Sequence, residues 1–88
     1  MSNFIEVYYS TYQANVKNLI NIDKISAVWI SEVSKDNYLV NVEIVTYFGD
    51  RMCAYYVGDY SLVFRKYGHF DKDIAEKLYN ELKEILNS

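Results

Sequence analysis

Hydrophobic and polar residues alternate along the N-terminal part of the chain with the period of a β-strand. Residues 4–10 (FIEVYYS) alternate in this way and carry the β-branched and aromatic side chains that favour strands. From about residue 16, VKNLINIDKISAVWISEV predicts a long strand whose alternation slips near Asp23 and Lys24, as at a bulge or sharp bend. The polar residues at 11–15 predict a loop, and residues 34–37 (SKDN) predict a turn.

The dipeptide Gly-Asp occurs twice, at Gly49-Asp50 and at Gly58-Asp59. Because glycine adopts positive φ without steric cost, each dipeptide predicts a two-residue hairpin turn. The turns would join three strands over residues 38–48, 51–57 and 60–67. A cation shared by the two aspartates would need oxygens within about 2.6 Å of it, whereas the ends of strand 51–57 are about 20 Å apart.

These turns would set the register of the three strands. A two-residue turn at each dipeptide pairs Ile44 with Tyr55 and Tyr55 with Leu62. Since a one-residue slip would scatter the apolar residues over both faces, their agreement predicts one buried, charge-free face. Its members would be Val40, Val42, Ile44, Thr46, Phe48, Cys53, Tyr55, Val57, Tyr60, Leu62 and Phe64.

Residues 71–87 have apolar residues spaced three and four positions apart, as in an amphipathic helix. Asp71 or Asp73 is placed to cap its N-terminus. We expect this helix to cover the charge-free face. The predicted fold class is therefore α+β, with an antiparallel β-meander of about five strands, or a curved half-barrel, packed by one C-terminal helix.

The opposite face of the three predicted strands carries an apolar and aromatic cluster. In one interpretation the N-terminal strands fold over it, as in a small barrel. In the other it is a protein-binding surface, because Tyr, Met and Arg are enriched at protein interfaces. The cluster comprises Val45, Tyr47, Met52, Tyr56, Val63 and, at its rim, Arg65.

Composition restricts the class of protein. Eighty-eight residues correspond to one domain, 1–88, and the single Cys53 excludes an intrachain disulfide. The net charge of −3 is spread along the chain without the basic stripe of a nucleic-acid binder. With neither a signal peptide nor a bilayer-spanning apolar run visible, we expect a cytoplasmic protein without membrane contact.

Residues with catalytic or metal-binding capacity are few. His69 is the only histidine and falls in a predicted turn before the helix, while Cys53 falls on the predicted buried face. The chain has no phosphate-binding glycine loop, zinc-ligand spacing or nucleophile motif. We therefore expect a protein that is not an enzyme and uses no cofactor or metal.

The succession of FIEV, LINIDKISAV, LVNVEI, a Gly-Asp turn and AEKLYNELKEIL resembles small uncharacterised bacterial and phage proteins. In these, a bent β-meander is closed by one helix. The resemblance covers nearly the whole chain, and its motifs are structural. By analogy of size and style, it implies an inhibitor of host machinery of the kind that phages and mobile elements encode.

Two functional hypotheses follow from these patterns. The first is a non-enzymatic module that binds a protein through the cluster around Tyr47 and Tyr56, or binds itself as a homodimer. The second is a protein that sequesters a small molecule or a nucleotide, with tyrosines stacked on the base. In that case Arg51, Arg65 and Lys66 are the candidates for binding phosphate.

Overall fold

A computed structural model describes residues 3–10 and 15–87, which form five strands and two helices. Short 3-10 turns at Ile22–Lys24 and Gly58–Tyr60 precede β3 and α1. The predicted loop at residues 11–15 lies almost entirely outside the described residues. The elements are β1 (Phe4–Ser10), β2 (Asn15–Asn21), β3 (Ile25–Ser34), β4 (Asn37–Val45), β5 (Arg51–Tyr56), α1 (Ser61–Tyr67) and α2 (Lys72–Asn87).

The strands form one antiparallel sheet in the order β2-β1-β5-β4-β3. β1 joins the sheet beside β5, where Val7 pairs with Tyr56 and Tyr8 pairs with Tyr55. The N-terminal hairpin therefore extends the sheet instead of folding over it, and the sheet is not closed into a barrel. The predicted fold class, an α+β protein with an antiparallel sheet and a C-terminal helix, is confirmed.

The predicted turn between β3 and β4 is confirmed, whereas the single long strand predicted from residue 16 is wrong. It is divided at the expected bend into β2 and β3, which lie at opposite edges of the sheet. The 3-10 turn Ile22–Lys24 separates β2 from β3, and the Asn21 side chain accepts a hydrogen bond from Asp23 N at 2.9 Å. Between β3 and β4, Asp36 has a φ of 64°. Aspartate tolerates this left-handed conformation better than most residues, because its short polar side chain can bond to the local backbone.

One face of the sheet, here called the inner face, carries most of the core and is covered by α2. Val7, Val42 and Ala54 mark this face on the three central strands, and all three are completely buried. The helix contributes Ala75, Leu78 and Leu82, also completely buried. Each buried leucine stabilises the fold by roughly 1.5–3 kcal/mol, so this contact between helix and sheet supplies much of the stability.

α2 begins where the sequence predicts. Asp71 Oδ1 accepts a hydrogen bond from Ile74 N at 2.9 Å and so caps the helix. The apolar stripe of the helix then lies against β3 and β4. The expectation that the helix covers the β4 residues Val40, Val42 and Ile44 agrees with their burial.

The hairpin between β4 and β5 differs from the prediction. Its loop is formed by residues 47–49, because Thr46 N donates to Asp50 O at 2.8 Å and Gly49 N donates to Thr46 O at 3.0 Å. Gly49 has a φ of 86°. This geometry is a type I turn followed by a left-handed glycine, instead of a two-residue turn at Gly49-Asp50.

The change of loop alters the register of β5. Ile44 pairs with Met52 and not with Tyr55, which moves the pairing by three positions. Because side chains alternate between faces, an odd shift turns the whole strand over. Cys53 and Tyr55 therefore lie on the face opposite Ile44, and the predicted charge-free face is wrong for β5.

Residues 60–67, predicted as a strand, instead form the end of a 3-10 turn and helix α1. The second Gly-Asp dipeptide begins this turn and is not a hairpin corner. Tyr60, Val63, Phe64 and Tyr67 recur at helical spacing, and the helix ends at Gly68 with a φ of 78°. The apolar residues of this segment thus fit both the two-residue period of a strand and the 3.6-residue period of a helix, and the segment is helical.

α1 packs against the opposite, outer face of the sheet. The ring centroid of Phe64 lies 5.4 Å from that of Tyr8 and 5.7 Å from that of Tyr55, which are cross-strand partners. Phe64 also lies 6.0 Å from Phe70, whose backbone pairs with Tyr38 through hydrogen bonds of 2.8 and 2.9 Å. The sheet is therefore covered on one face by α2 and in part on the other by α1.

Candidate interaction surfaces

The residues predicted as one binding surface do not share a face. Val45, Tyr47 and Met52 lie at the loop end of the β4–β5 hairpin, whereas Val63 and Arg65 lie on α1, beyond the other end of β5. Within the hairpin, Met52 lies on the inner face with Ile44, and Val45 pairs with Arg51 on the outer face. The predicted cluster is therefore divided between two regions.

Tyr56, the remaining member of that set, belongs to the core. It is 6% exposed, and its hydroxyl donates to Glu81 Oε1 at 2.7 Å. Burial and this hydrogen bond raise the pKa of Tyr56 above its ordinary value. The side chain ties β5 to α2, and it is not available as a contact residue for a partner.

Cys53 and Leu62 depart from the prediction in the opposite direction. Both were expected on the buried face, but Cys53 is exposed and Leu62 is 76% exposed. The register of β5 turns Cys53 outward, and the helical conformation of α1 turns Leu62 away from Phe64. His69, in contrast, lies just before α2, as predicted, although the element that precedes it is a helix and not the expected strand.

The loop of the β4–β5 hairpin presents two aromatic rings to solvent. Tyr47 is 90% exposed and Phe48 is 87% exposed. Their ring centroids are 5.5 Å apart at an interplanar angle of 90°, a favourable edge-to-face arrangement. We call this pair the aromatic tip. The sequence pointed to Tyr47 as a contact residue, but it placed Phe48 in the core, which is wrong.

The aromatic tip is held by a tight loop whose flanking charges are largely paired. Asp50 N donates to Thr46 Oγ1 at 3.1 Å, in addition to the backbone bonds that close the loop. Arg51 Nη1 lies 3.5 Å from Glu43 Oε1, which also accepts from Ser26 Oγ at 2.7 Å. The rings are therefore presented on a defined backbone, without a basic patch beside them.

A second exposed feature is the β3 edge of the sheet. Within the described residues β3 pairs only with β4, and Glu32 is its single charged residue. Trp29 is 38% exposed and Val33 is 54% exposed. An edge strand of this kind offers unpaired backbone groups to another strand.

The third feature is a groove where α1 and α2 meet the turn between β3 and β4. It has a volume of about 370 Å³ and contains both aromatic and acidic side chains. We call it the His69 groove. It is lined by Asp36, Asn37, Val63, Tyr67, His69, Asp71 and Ile74.

The cations considered for phosphate binding are not assembled into one site. Arg51 begins β5 and is paired with Glu43, while Arg65 and Lys66 lie on α1, after the other end of β5. The Nζ of Lys66 lies 5.2 Å from the ring centroid of Tyr67. This separation removes the main geometric support for the nucleotide hypothesis.

Comparison with protein-family models, curated protein sequences and solved structures found no match to this chain. In residues 3–10 and 15–87, no three His, Cys, Asp or Glu side chains are grouped so that they could hold a metal ion. Neither helix in this part of the chain is long and apolar enough to cross a membrane.

Proposed function

We propose that the protein is a binding module that inserts its aromatic tip into an apolar cleft of a partner protein. The observation that carries the proposal is the near-complete exposure of Tyr47 and Phe48 on a closed hairpin loop. Aromatic residues on a rigid backbone are typical energetic anchors of protein interfaces, because little conformational entropy is lost when they bind. This retains the predicted function but moves its surface from the sheet face to the loop.

The size of the possible gain supports a role in binding. The two rings together would bury roughly 300–400 Å² of mostly apolar surface, worth roughly 7–10 kcal/mol before the costs of association. Removing one anchor ring typically costs about 2 kcal/mol or more, which is about a 30-fold loss of affinity. An anionic membrane surface is a poorer partner than a protein cleft, since the net charge of the chain is −3 and like charges repel.

Photo-crosslinking tests this proposal. We expect p-benzoylphenylalanine in place of Phe48 to crosslink a specific protein in an extract of the native cell. The same amino acid in place of Leu62, which is 76% exposed on α1, is the matched control and should not label that protein. The identified protein should then bind the purified wild-type chain directly.

A double variant, Tyr47→Ser with Phe48→Ser, should abolish this binding and leave the thermal unfolding curve nearly unchanged, because neither ring contributes to the core. Sedimentation velocity of the same variant distinguishes self-association from binding to another protein. The proposal is refuted if crosslinking from both positions is identical, or if the double variant binds the identified partner as well as the wild type. Binding to lipid vesicles that requires both rings would also refute it.

Self-association is a second candidate, and the β3 edge favours it. Antiparallel pairing of β3 with its copy would place Trp29 near the two-fold axis, and Glu32, the only charge in the strand, would not face its own copy. Ala27→Lys would charge this exposed edge and should abolish a dimer, while the aromatic-tip variant should not. A monomer at every concentration in sedimentation equilibrium would exclude this candidate. The inhibitory role implied by the resemblance stays a prediction.

A further inference from the structure

We propose that the His69 groove binds a guanidinium or ammonium group carried on an aliphatic stem. The groove combines acidic side chains with aromatic and aliphatic walls in about 370 Å³. A cation of this class is large enough to contact all of these surfaces at once. This site is separate from the aromatic tip and does not depend on the proposed function.

The groove is built by the connection between the helices. Tyr38 and Phe70 form an antiparallel bridge with two backbone hydrogen bonds, which places Asn37 beside Asp71. The left-handed Asp36 precedes Asn37 in the tight turn. Two segments, the turn at residues 36–37 and the connection between the helices, thus bring their polar side chains to one place, although they are far apart in sequence.

The polar groups of the groove retain unused acceptors. Asp71 Oδ1 caps α2 by accepting from Ile74 N, which leaves Oδ2 for a ligand. Within residues 3–10 and 15–87, the Asp36 carboxylate and the Asp71 carboxylate form no salt bridge. Asn37 uses its amide nitrogen to donate to Ser34 Oγ, and among residues 3–10 and 15–87 no side chain donates a hydrogen bond to its amide oxygen. A guanidinium group, with five N–H donors, is suited to several acceptors of this kind.

The electrostatic surroundings favour a cation. A hydrogen bond to Glu32, burial and the charges of Glu32, Asp36 and Glu76 raise the pKa of Tyr38, whose backbone forms one side of the bridge.

The aromatic wall adds a second attraction. The rings of Tyr67 and His69 lie 6.3 Å apart, and Lys66 Nζ already lies 5.2 Å from the Tyr67 centroid. A ligand cation would take the place of Lys66 at the Tyr67 ring, whose negative face attracts cations. Val63 and Ile74 provide apolar surface for the stem of the ligand.

A titration with agmatine, followed by amide chemical shifts in two-dimensional NMR at low salt, tests the site. We expect binding in the millimolar range, with the shifts concentrated at residues 36–37 and 67–71. The neutral analogue N-butylurea should bind at least about tenfold more weakly, because it lacks the charge that the carboxylates attract. If the ligand is a protein side chain, a blocked peptide with a single arginine should shift the same residues as agmatine does. If the ligand is a free amine, agmatine should shift these residues and the peptide should not. Either result supports the site.

Two charge-removing substitutions keep the local backbone requirements. Asp36→Asn preserves a residue that tolerates positive φ, and Asp71→Ser preserves an N-cap. Together they should weaken agmatine binding by about tenfold, whereas Glu84→Gln, at an exposed position near the other end of α2, should have little effect. Unfolding curves of the variants show whether the fold is retained.

The proposal is overturned if Asp36→Asn with Asp71→Ser leaves binding unchanged in a folded protein. It is also overturned if N-butylurea binds as well as agmatine, or if agmatine shifts acidic residues over the whole surface. Tighter binding of Mg²⁺ or Ca²⁺ than of agmatine at the same residues would replace the proposed ligand class by a metal ion.

Discussion

Among the three glycines, replacement of Gly58 should lower the free energy of unfolding most, although Gly49 and Gly58 are each followed by aspartate. A Cβ atom at position 58 would lie 2.8 Å from Leu78 Cδ2 and 3.3 Å from Glu81 Oε1, and the residue has a φ of 49°. Leu78 is completely buried, so it has little room to move. Gly58→Ala therefore combines backbone strain with overpacking between the turn and α2.

The magnitude follows from these two costs. A left-handed alanine costs roughly 1–2 kcal/mol, and overpacking a close-packed site costs roughly 1–3 kcal/mol more. We expect Gly58→Ala to lower the free energy of unfolding by about 2–5 kcal/mol. Gly49→Ala should lower it by about 1–2 kcal/mol, because Gly49 has a φ of 86° but no atom within 4 Å of its Cβ position.

Urea unfolding followed by far-ultraviolet circular dichroism and by the fluorescence of Trp29 measures both variants. The difference between them isolates the steric part, provided that the dependence on denaturant is unchanged. Leu78→Val removes the clashing end of the side chain, so in its background Gly58→Ala should cost about 1 kcal/mol less. Equal losses for Gly58→Ala and Gly49→Ala would refute the packing argument, since they would leave only the backbone effect.

Three further predictions concern single groups. Tyr8 is 3% exposed, and its hydroxyl has no hydrogen-bond partner among the described residues. Tyr8→Phe should therefore raise the free energy of unfolding by about 1 kcal/mol in the same urea experiment, and a loss of stability would contradict this. Tyr56→Phe should lower it by about 1–2 kcal/mol at neutral pH, because Glu81 loses a donor, and unchanged stability would contradict the role of that bond. Because the pKa of Tyr56 is raised in the folded chain, the folded chain keeps a proton that the unfolded chain loses near pH 10. The free energy of unfolding should therefore fall as the pH rises above about 10, by up to about 1.4 kcal/mol per pH unit, and less steeply in Tyr56→Phe. Parallel pH profiles of the two proteins would contradict this.

Most strand and helix positions could be predicted because they depend on local pattern. The alternation in β1, the bend at Asp23 and the cap at Asp71 each require only a few neighbouring residues. The loop of the β4–β5 hairpin was harder, since Gly49 fits either a two-residue or a three-residue loop. The choice of loop moved the pairing of β5 by three positions, and because this number is odd, it decided the face of every side chain in the strand.

The candidate sites were less accessible to prediction, because they depend on contacts between distant parts of the chain. Tyr47 was recognised by residue type, but the exposure of Phe48 follows from the loop geometry. The His69 groove requires the bridge between Tyr38 and Phe70, and no spacing in the sequence encodes that pairing. Residue type alone therefore identified Tyr47 of the aromatic tip, and it did not predict that the residues of the His69 groove lie together.

The sequence by itself determined the fold class, the C-terminal helix with its capping residue, and the absence of an intrachain disulfide, because these depend on periodicity, capping and residue counts. The tertiary structure decided the position of the N-terminal hairpin beside β5, the helical state of residues 61–67 and the burial of Tyr56. These features depend on how much apolar surface each arrangement buries between segments that are distant in sequence. For residues 61–67, whose pattern suits either a strand or a helix, the packing of Phe64 against Tyr8 and Tyr55 favours the helix.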